Sequence, residues 1–134
     1  MLYAQQMHGD PTGTAVASRL LRAVAEGDRA GVAACFAPDA RLRVLTPRSL
    51  REEEGAPAIA ARYLTWTGTL EGFRLLSADV EWIADRIRIR YRFLGRDPEK
   101  GWQENEHTGY AEISDGMIVA LNISCTGFRP SEDR

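Results

Sequence analysis

Few residues of this chain have side chains able to do chemistry in a group. Its two histidines, His8 and His107, and its two cysteines, Cys35 and Cys125, are too scattered to give a metal any regular ligand spacing. No glycine-rich phosphate loop and no serine–histidine–acid constellation can be assembled from the rest. His107 is therefore the candidate for moving a proton, because an unperturbed imidazole titrates near neutrality and burial can tune it. Asn105, two residues away, could orient a carbonyl or stabilise an oxyanion. Tyr91 could donate a proton or a hydrogen bond, and Tyr63 and Trp66 supply aromatic surface that could close over the same place.

Strand alternation brings these residues together. Ile87, Ile89, Tyr91 and Phe93 alternate with Arg88, Arg90 and Arg92, the clearest period-two signal in the chain. The apolar set must face inward, which carries Tyr91 with it. On the next strand, Gln103 to Ser114, the apolar pair Ala111 and Ile113 puts Gly109, His107 and Asn105 on the inner side. Glu104, Glu106, Thr108 and Glu112 then point outward, toward the arginines. Any even-sum register around the turn near Pro98 pairs Arg90 or Arg92 with Glu104 or Glu106, a contact worth roughly 0.2–1 kcal/mol. A simpler role competes at each position. A histidine on an inner strand face is often a hydrogen-bonded core residue, Asn105 can serve backbone groups, and Tyr63, Trp66 and Tyr91 are in part core. The arginine stripe fits ladder pairing or a dimer face better than an anion site. Asp39, after a proline, reads as a cap or turn residue, and Glu52 to Glu54 as a solvated loop.

The elements that would hold the site follow from capping and periodicity. Residues 1–13, with Gly9, Asp10, Pro11 and Gly13, read as a flexible arm. Thr14 would cap a helix carrying Val16, Leu20, Leu21 and Val24, ended by Gly27. Asp28 would cap a short second helix with Val32, Cys35 and Phe36, closed by Pro38-Asp39. Ala40 to Leu45 alternates as a half-buried strand, and Thr46 to Gly55 reads as a surface loop or small hairpin. A third helix starts near Pro57, with Ile59, Tyr63, Trp66 and Leu70 on one face. Phe73 to Ile83 opens a run of strands reversing at Asp85-Arg86, at Asp97 to Gly101 and at Asp115-Gly116, a strong two-residue hairpin signal. Met117 to Phe128 is the last strand, and 130–134 a polar tail. This is one α+β domain over 14–129.

Composition narrows the partners. The 134 residues carry a net charge of -2, so the basic excess expected of a nucleic-acid binder is missing. No run is apolar enough to span a bilayer, and the first residues lack the pattern of a signal peptide. Two unpaired cysteines suit a reducing compartment, so the expectation is a cytoplasmic protein without membrane association. The sequon Asn122-Ile123-Ser124 is accidental on that reading.

The segment Leu21 to Ala40, LRAVAEGDRAGVAACFAPDA, resembles the opening of SnoaL-like polyketide cyclases, ketosteroid isomerases and the wider nuclear transport factor 2-like superfamily. Gly55-Ala56-Pro57-Ala58-Ile59 resembles the start of their third helix, and Ser114 to Ile118 their last hairpin. Order and spacing hold over roughly 14 to 128. The resemblance implies a cystatin-like cone, with N-terminal helices packed on a strongly curved antiparallel sheet that encloses a pocket. It also implies a homodimer through the outer sheet face, where Ala120, Asn122 and Ser124 are small enough for close contact. It does not carry the ketosteroid isomerase mechanism. The positions matching that family's two acidic residues are Val44 and Gly109, and its helix-one tyrosine falls at Leu20. The Arg-x-Asp arrangement of limonene-type epoxide hydrolases is missing too. The function expected is that of a pocket for a small hydrophobic molecule bearing a carbonyl or hydroxyl. It would act as a cofactor-free isomerase, cyclase, dehydratase or hydrolase with His107 moving the proton, or, alternatively, as a non-catalytic ligand-binding or dimeric interaction domain.

Overall fold

The structure, a computed structural model, describes residues 11–68 and 70–132. The expected arm therefore lies largely outside the described residues. The first helix, α1 (Pro11–Glu26), starts three residues ahead of Thr14, with proline in the first turn, where a missing N–H costs nothing. The Thr14 hydroxyl donates to the carbonyl of Pro11 and so sits inside the first turn instead of capping it. Val16, Leu20, Leu21 and Val24 are buried as the spacing requires. Gly27, at φ 65°, ends the helix.

Asp28 caps α2 (Arg29–Ala34), its Oδ1 accepting from the Gly31 N–H at 2.9 Å. This helix is shorter than expected. Cys35 is its C-cap, and Phe36 already opens β1 (Phe36–Leu45), paired with Ile118. Asp39 is thus an exposed strand residue, within a stretch where the register shifts, and it caps no helix. Of the two readings of Thr46 to Gly55, the hairpin is found: β2 (Leu50–Glu54) pairs antiparallel with β1, and Arg43 meets Glu52 at 3.2 Å.

Helix α3 (Ala56–Gly68) buries Ile59, Ala60 and Tyr63. It stops before Leu70, which was expected on its face. Leu70 instead lies over the backbone of Gly95, where an added Cβ would come within 2.6 Å of it. Only glycine lets the chain approach so closely there.

The remaining strands are β3 (Glu71–Ile83), β4 (Arg86–Asp97), β5 (Gly101–Ser114), β6 (Met117–Cys125) and the short β7 (Arg129–Pro130). The sheet order is β2-β1-β6-β5-β4-β3, with β7 beside β5. The expected all-antiparallel sheet is corrected to a mixed one, because β1 lies parallel to β6. Parallel partners need a long crossover, and here the connection runs through β2, α3 and the β3–β5 meander. The last strand ends at Cys125, not Phe128, because the chain turns there to place β7 against Gln103 and Glu104. Asp115 (φ 52°) and Gly116 (φ 72°) make the left-handed pair that a two-residue hairpin turn demands.

The β4–β5 register has the expected even sum, with Arg92 opposite Glu106 and Tyr91 opposite His107. The ion pairs, however, run mostly to the other neighbour. Arg90 reaches Asp79 at 3.1 Å and Arg88 reaches Glu81, both on β3. Arg92 reaches diagonally to Glu104, at 3.4 Å. The helices cover the concave face, α1 against β3 and β4 and α3 against β1 and β2. Both cysteines are free thiols. Among the described residues no helix is long and apolar enough to cross a membrane.

Candidate functional site

The inner side of β4 and β5 carries a polar line through an apolar wall. Ile87, Ile89, Tyr91 and Phe93 are all buried, and so are Asn105, His107 and Ala111 opposite them. At the centre the Tyr91 hydroxyl and His107 Nδ1 are 2.7 Å apart. Trp66 meets the imidazole edge-on at a centroid distance of 5.1 Å, and Phe93 does so at 5.2 Å. Tyr63 stacks edge-on against Trp66 at 5.0 Å. The fold thus brings four of the five candidates, His107, Tyr91, Trp66 and Tyr63, into one cluster. Asn105 lies one inward position along from His107, and its Oδ1 accepts from Cys125 Sγ at 3.2 Å and from the Thr126 hydroxyl at 3.4 Å.

The electrostatics of the cluster are those of neutral groups. Burial alone pushes the His107 pKa from 6.5 down to about 4, since an imidazolium would lose its hydration there. Burial also raises Tyr91 well above the usual phenol range, and the neighbouring Tyr63 raises it further. Tyr63 is raised as well, again chiefly by burial. Its hydroxyl is close enough to that of Tyr91 for each to affect the other's ionisation, yet meets no hydrogen-bonding geometry and remains buried without a partner. At neutral pH all three rings therefore hold their neutral forms. Tyr91 O–H donates to Nδ1 when the imidazole proton is on Nε2, and Nδ1–H donates to the phenol oxygen in the other tautomer. Such a pair is suited to hydrogen-bonding and polarising an oxygen atom. It is a weaker base than an imidazole titrating near neutrality.

The buried polar residues are Thr67, Gln103, Asn105 and His107, so no described carboxylate lies in the interior. Val44 and Leu20, the positions that the resemblance sets against an acid and a tyrosine, are packed in the core at 1% exposure each. A side chain at Gly109 would meet Leu121 and Ile123. The interior thus holds hydrocarbon around these three positions.

Two further polar residues belong to the inner face and escape the sequence reading. Gln103 continues the Asn105–His107 alternation by one step, and its amide nitrogen donates to the Lys100 and Trp102 carbonyls. Extending the period-two count toward the turn would have found it. Cys125 is harder to see. Counting back from the Asp115-Gly116 turn, where Ser114 pairs with Met117, puts Ser124 opposite His107. A register shift between Glu112 and Ile113 moves the partner by one, to Cys125. Two open grooves lie on the outer side of the sheet, one of about 510 Å³ along Arg41, Glu52, Glu54 and Glu112, the other of about 640 Å³ along Leu45, Leu50, Tyr110 and Ser124.

Known proteins can now be set beside this geometry. The family model of the SnoaL-like domain matches residues 17–121. No curated protein matches the chain. A steroid delta-isomerase from Pseudomonas aeruginosa is similar in structure, with 21% identity, 90% of this chain and 82% of that one covered, and a TM-score of 0.63. A nuclear transport factor 2-like protein from Burkholderia xenovorans is 14% identical, with 88% and 92% covered and a TM-score of 0.68. A protein of ketosteroid isomerase-like fold from Catenulispora acidiphila, solved in complex with trimethylamine, is 10% identical, with 81% and 82% covered and a TM-score of 0.67. At these identities the likeness is one of fold, an α+β cone. The family match spans most of the chain, from within α1 to β6, and the chain belongs to the SnoaL-like domain family.

Proposed function

We propose that the inner face of the sheet receives a small hydrophobic compound bearing a carbonyl or hydroxyl, and that the His107–Tyr91 pair donates to its oxygen the one proton its internal hydrogen bond leaves free, the Tyr91 O–H when Nδ1 carries the imidazole proton. The observation carrying this reading is the 2.7 Å contact between Tyr91 and His107 Nδ1, buried among Trp66, Phe93 and Tyr63. A few convergent polar groups in an aromatic wall are what a small-ligand site offers. The complex of the Catenulispora acidiphila relative with trimethylamine supports a small-molecule occupant. Any chemistry is cofactor-independent and of the isomerase, cyclase, dehydratase or hydrolase kind. The free donor of this neutral pair would act by stabilising negative charge developing on the substrate oxygen. The free thiols fit a cytoplasmic protein.

Calorimetric titration with a panel of cyclic ketones and phenols tests the site. Tyr91→Phe should weaken the best binder about tenfold, the value of one hydrogen bond of ~1.4 kcal/mol. Equal affinity in the two proteins would end this assignment. A second reading, a ligand carrier without chemistry, is favoured by the low basicity of His107 and by the lack of a carboxylate among the described buried residues. It predicts a ligand recovered unchanged, by NMR, after prolonged incubation at saturating protein.

A homodimer through the outer sheet face completes the proposal. Leu45, Leu50 and Tyr110 are 58%, 47% and 42% exposed along the outer groove, beside the small or polar Ala120, Asn122 and Ser124. Apolar side chains gathered in this way gain from mutual burial. Light scattering should give twice the 14.9 kDa chain mass at micromolar concentration, and Tyr110→Glu should halve it. A monomeric native protein would refute the dimer.

A further inference from the structure

The inner face is closed as it stands. His107, Tyr91 and Phe93 are 2%, 3% and 2% exposed, so a molecule reaches them only if part of the wall moves aside. One stretch of wall is built to do so. A line of rings leads from the imidazole to solvent: Phe93 lies 5.2 Å from His107, and Phe128 lies 5.8 Å from Phe93 while being itself 47% exposed. Phe128 is carried by the segment after β6, from Gly127 to Ser131, which runs on beside β5.

That segment is held thinly by its backbone and firmly at one side chain. β7 pairs with β5 through two residues, and one of them, Pro130, has no N–H to give. Residues 126–128 belong to no strand, and Gly127 stands at φ 78°, where glycine turns without steric cost. Before it, Thr126 is anchored twice to Glu106, its N–H donating to the carbonyl and its hydroxyl accepting the N–H, each at 3.0 Å. Beyond it, the Glu104 carboxylate accepts from Ser131 Oγ at 2.7 Å, from Arg129 at 3.2 Å and from Arg92 of β4 at 3.4 Å. An anchor, a glycine and then a charged latch are the parts of a hinged strap. Glu104 points to the outer side of the sheet while Phe128 packs on the inner one. The latch can therefore be released without altering any group that would touch a ligand.

We propose that Gly127–Ser131 is a strap that gates the inner face, swinging about Gly127 to lift Phe128 from Phe93, with Glu104 as its latch. The gate rests on the reading that the inner face receives a small carbonyl or hydroxyl compound, and it adds how entry is controlled. With the strap closed, Phe128 and Phe73 cover Phe93. With it open, Phe93 is uncovered and a small neutral molecule can pass toward Asn105 and His107. Segments with few backbone bonds and a half-exposed anchor are the ones that open locally, ahead of the rest of the fold.

Hydrogen exchange and ligand entry test the strap together. The Ser131 N–H, which donates to the Trp102 carbonyl at 3.0 Å, should exchange long before the amides of Ala111 and Leu121 in mid-sheet. In Glu104→Ala it should exchange about tenfold faster still, the effect of losing one charge-assisted hydrogen bond. Stopped-flow mixing with 4-nitrophenol, read by quenching of tryptophan fluorescence, should show association and dissociation both accelerated about tenfold in that variant, with the dissociation constant little changed. Phe128→Ala should also speed entry. Arg90→Ala, which breaks a comparable ion pair to Asp79 on β3, should leave exchange and rates at their native values. Ser131 exchanging only together with Ala111 and Leu121 overturns the gate and leaves the site. So does uptake of 4-nitrophenol at one rate by the native protein, Glu104→Ala and Phe128→Ala. No binding by any of these proteins removes the site, and the gate with it.

Discussion

Replacing His107 with glutamine is expected to remove up to roughly 3 kcal/mol of acid sensitivity from this protein, the equivalent of moving a pKa from 6.5 to about 4. The folded imidazole is neutral down to about pH 4, while the unfolded one takes up a proton below its ordinary value of 6.5. Above pH 6.5 both states are neutral, and the histidine has no effect on the pH dependence. As pH falls from 6.5 toward 4 only the unfolded state gains a proton, so stability declines through that window and levels off below it. The ring is 2% exposed, so solvent screening removes little of this effect. Its tyrosine neighbours Tyr91 and Tyr63, both raised by burial, stay protonated across the window. The depressed carboxyls of Asp97 and Glu104, held low by hydrogen bonds from the Lys100 N–H and from Ser131 respectively, also weaken the fold in acid, but equally in both proteins. Urea unfolding at pH 7 and pH 4.5 would show native His107 losing more than His107→Gln. Parallel losses in the two proteins would mean that the imidazole is hydrated and the site open.

The second large effect is expected at Phe93. Its ring touches Phe73 at 5.3 Å, Tyr91 at 6.0 Å, His107 at 5.2 Å and Phe128 at 5.8 Å, and it is 2% exposed. Phe93→Ala removes the common neighbour of both site residues, and large-to-small changes of this kind cost about 3–5 kcal/mol. The cavity would lie against the imidazole. Water admitted there should restore part of its hydration, so the His107 pKa should climb back toward 6.5, as followed by NMR of the ring C–H protons. Stability lost without any rise in that pKa would mean that other walls keep the ring dry. A stability loss below about 1 kcal/mol would contradict the packing itself.

How much of this was legible in the chain differs from residue to residue. The facing of Tyr91, Asn105 and His107 follows from pleating, a local property. Side chains of a strand alternate whatever lies beyond it, so Ile87, Ile89 and Phe93 on one side and the arginines on the other settle the matter. The Asp115-Gly116 reversal is local too, because positive φ at both turn residues is cheap for this pair. The helix limits were less legible. Cys35 and Phe36 fit the apolar face of a helix, but a parallel partner in β6 claims Phe36 for the sheet.

Three features of the site needed the tertiary structure. The parallel docking of β1 on β6 joins segments that are distant in sequence, and no local pattern records it. The shift between Glu112 and Ile113 exchanges Ser124 for Cys125 opposite His107, and a bulge follows from how the sheet must bend. The neutrality of His107 was hidden for a related reason. A sequence shows an imidazole with its ordinary pKa near neutrality, whereas Trp66 from α3 and Phe93 from β4 close on it only after folding and strip its water. Alternation is decided within a strand, and so the sequence by itself determined which residues face inward. Register and desolvation are decided between elements, and only the tertiary structure could settle what those residues meet.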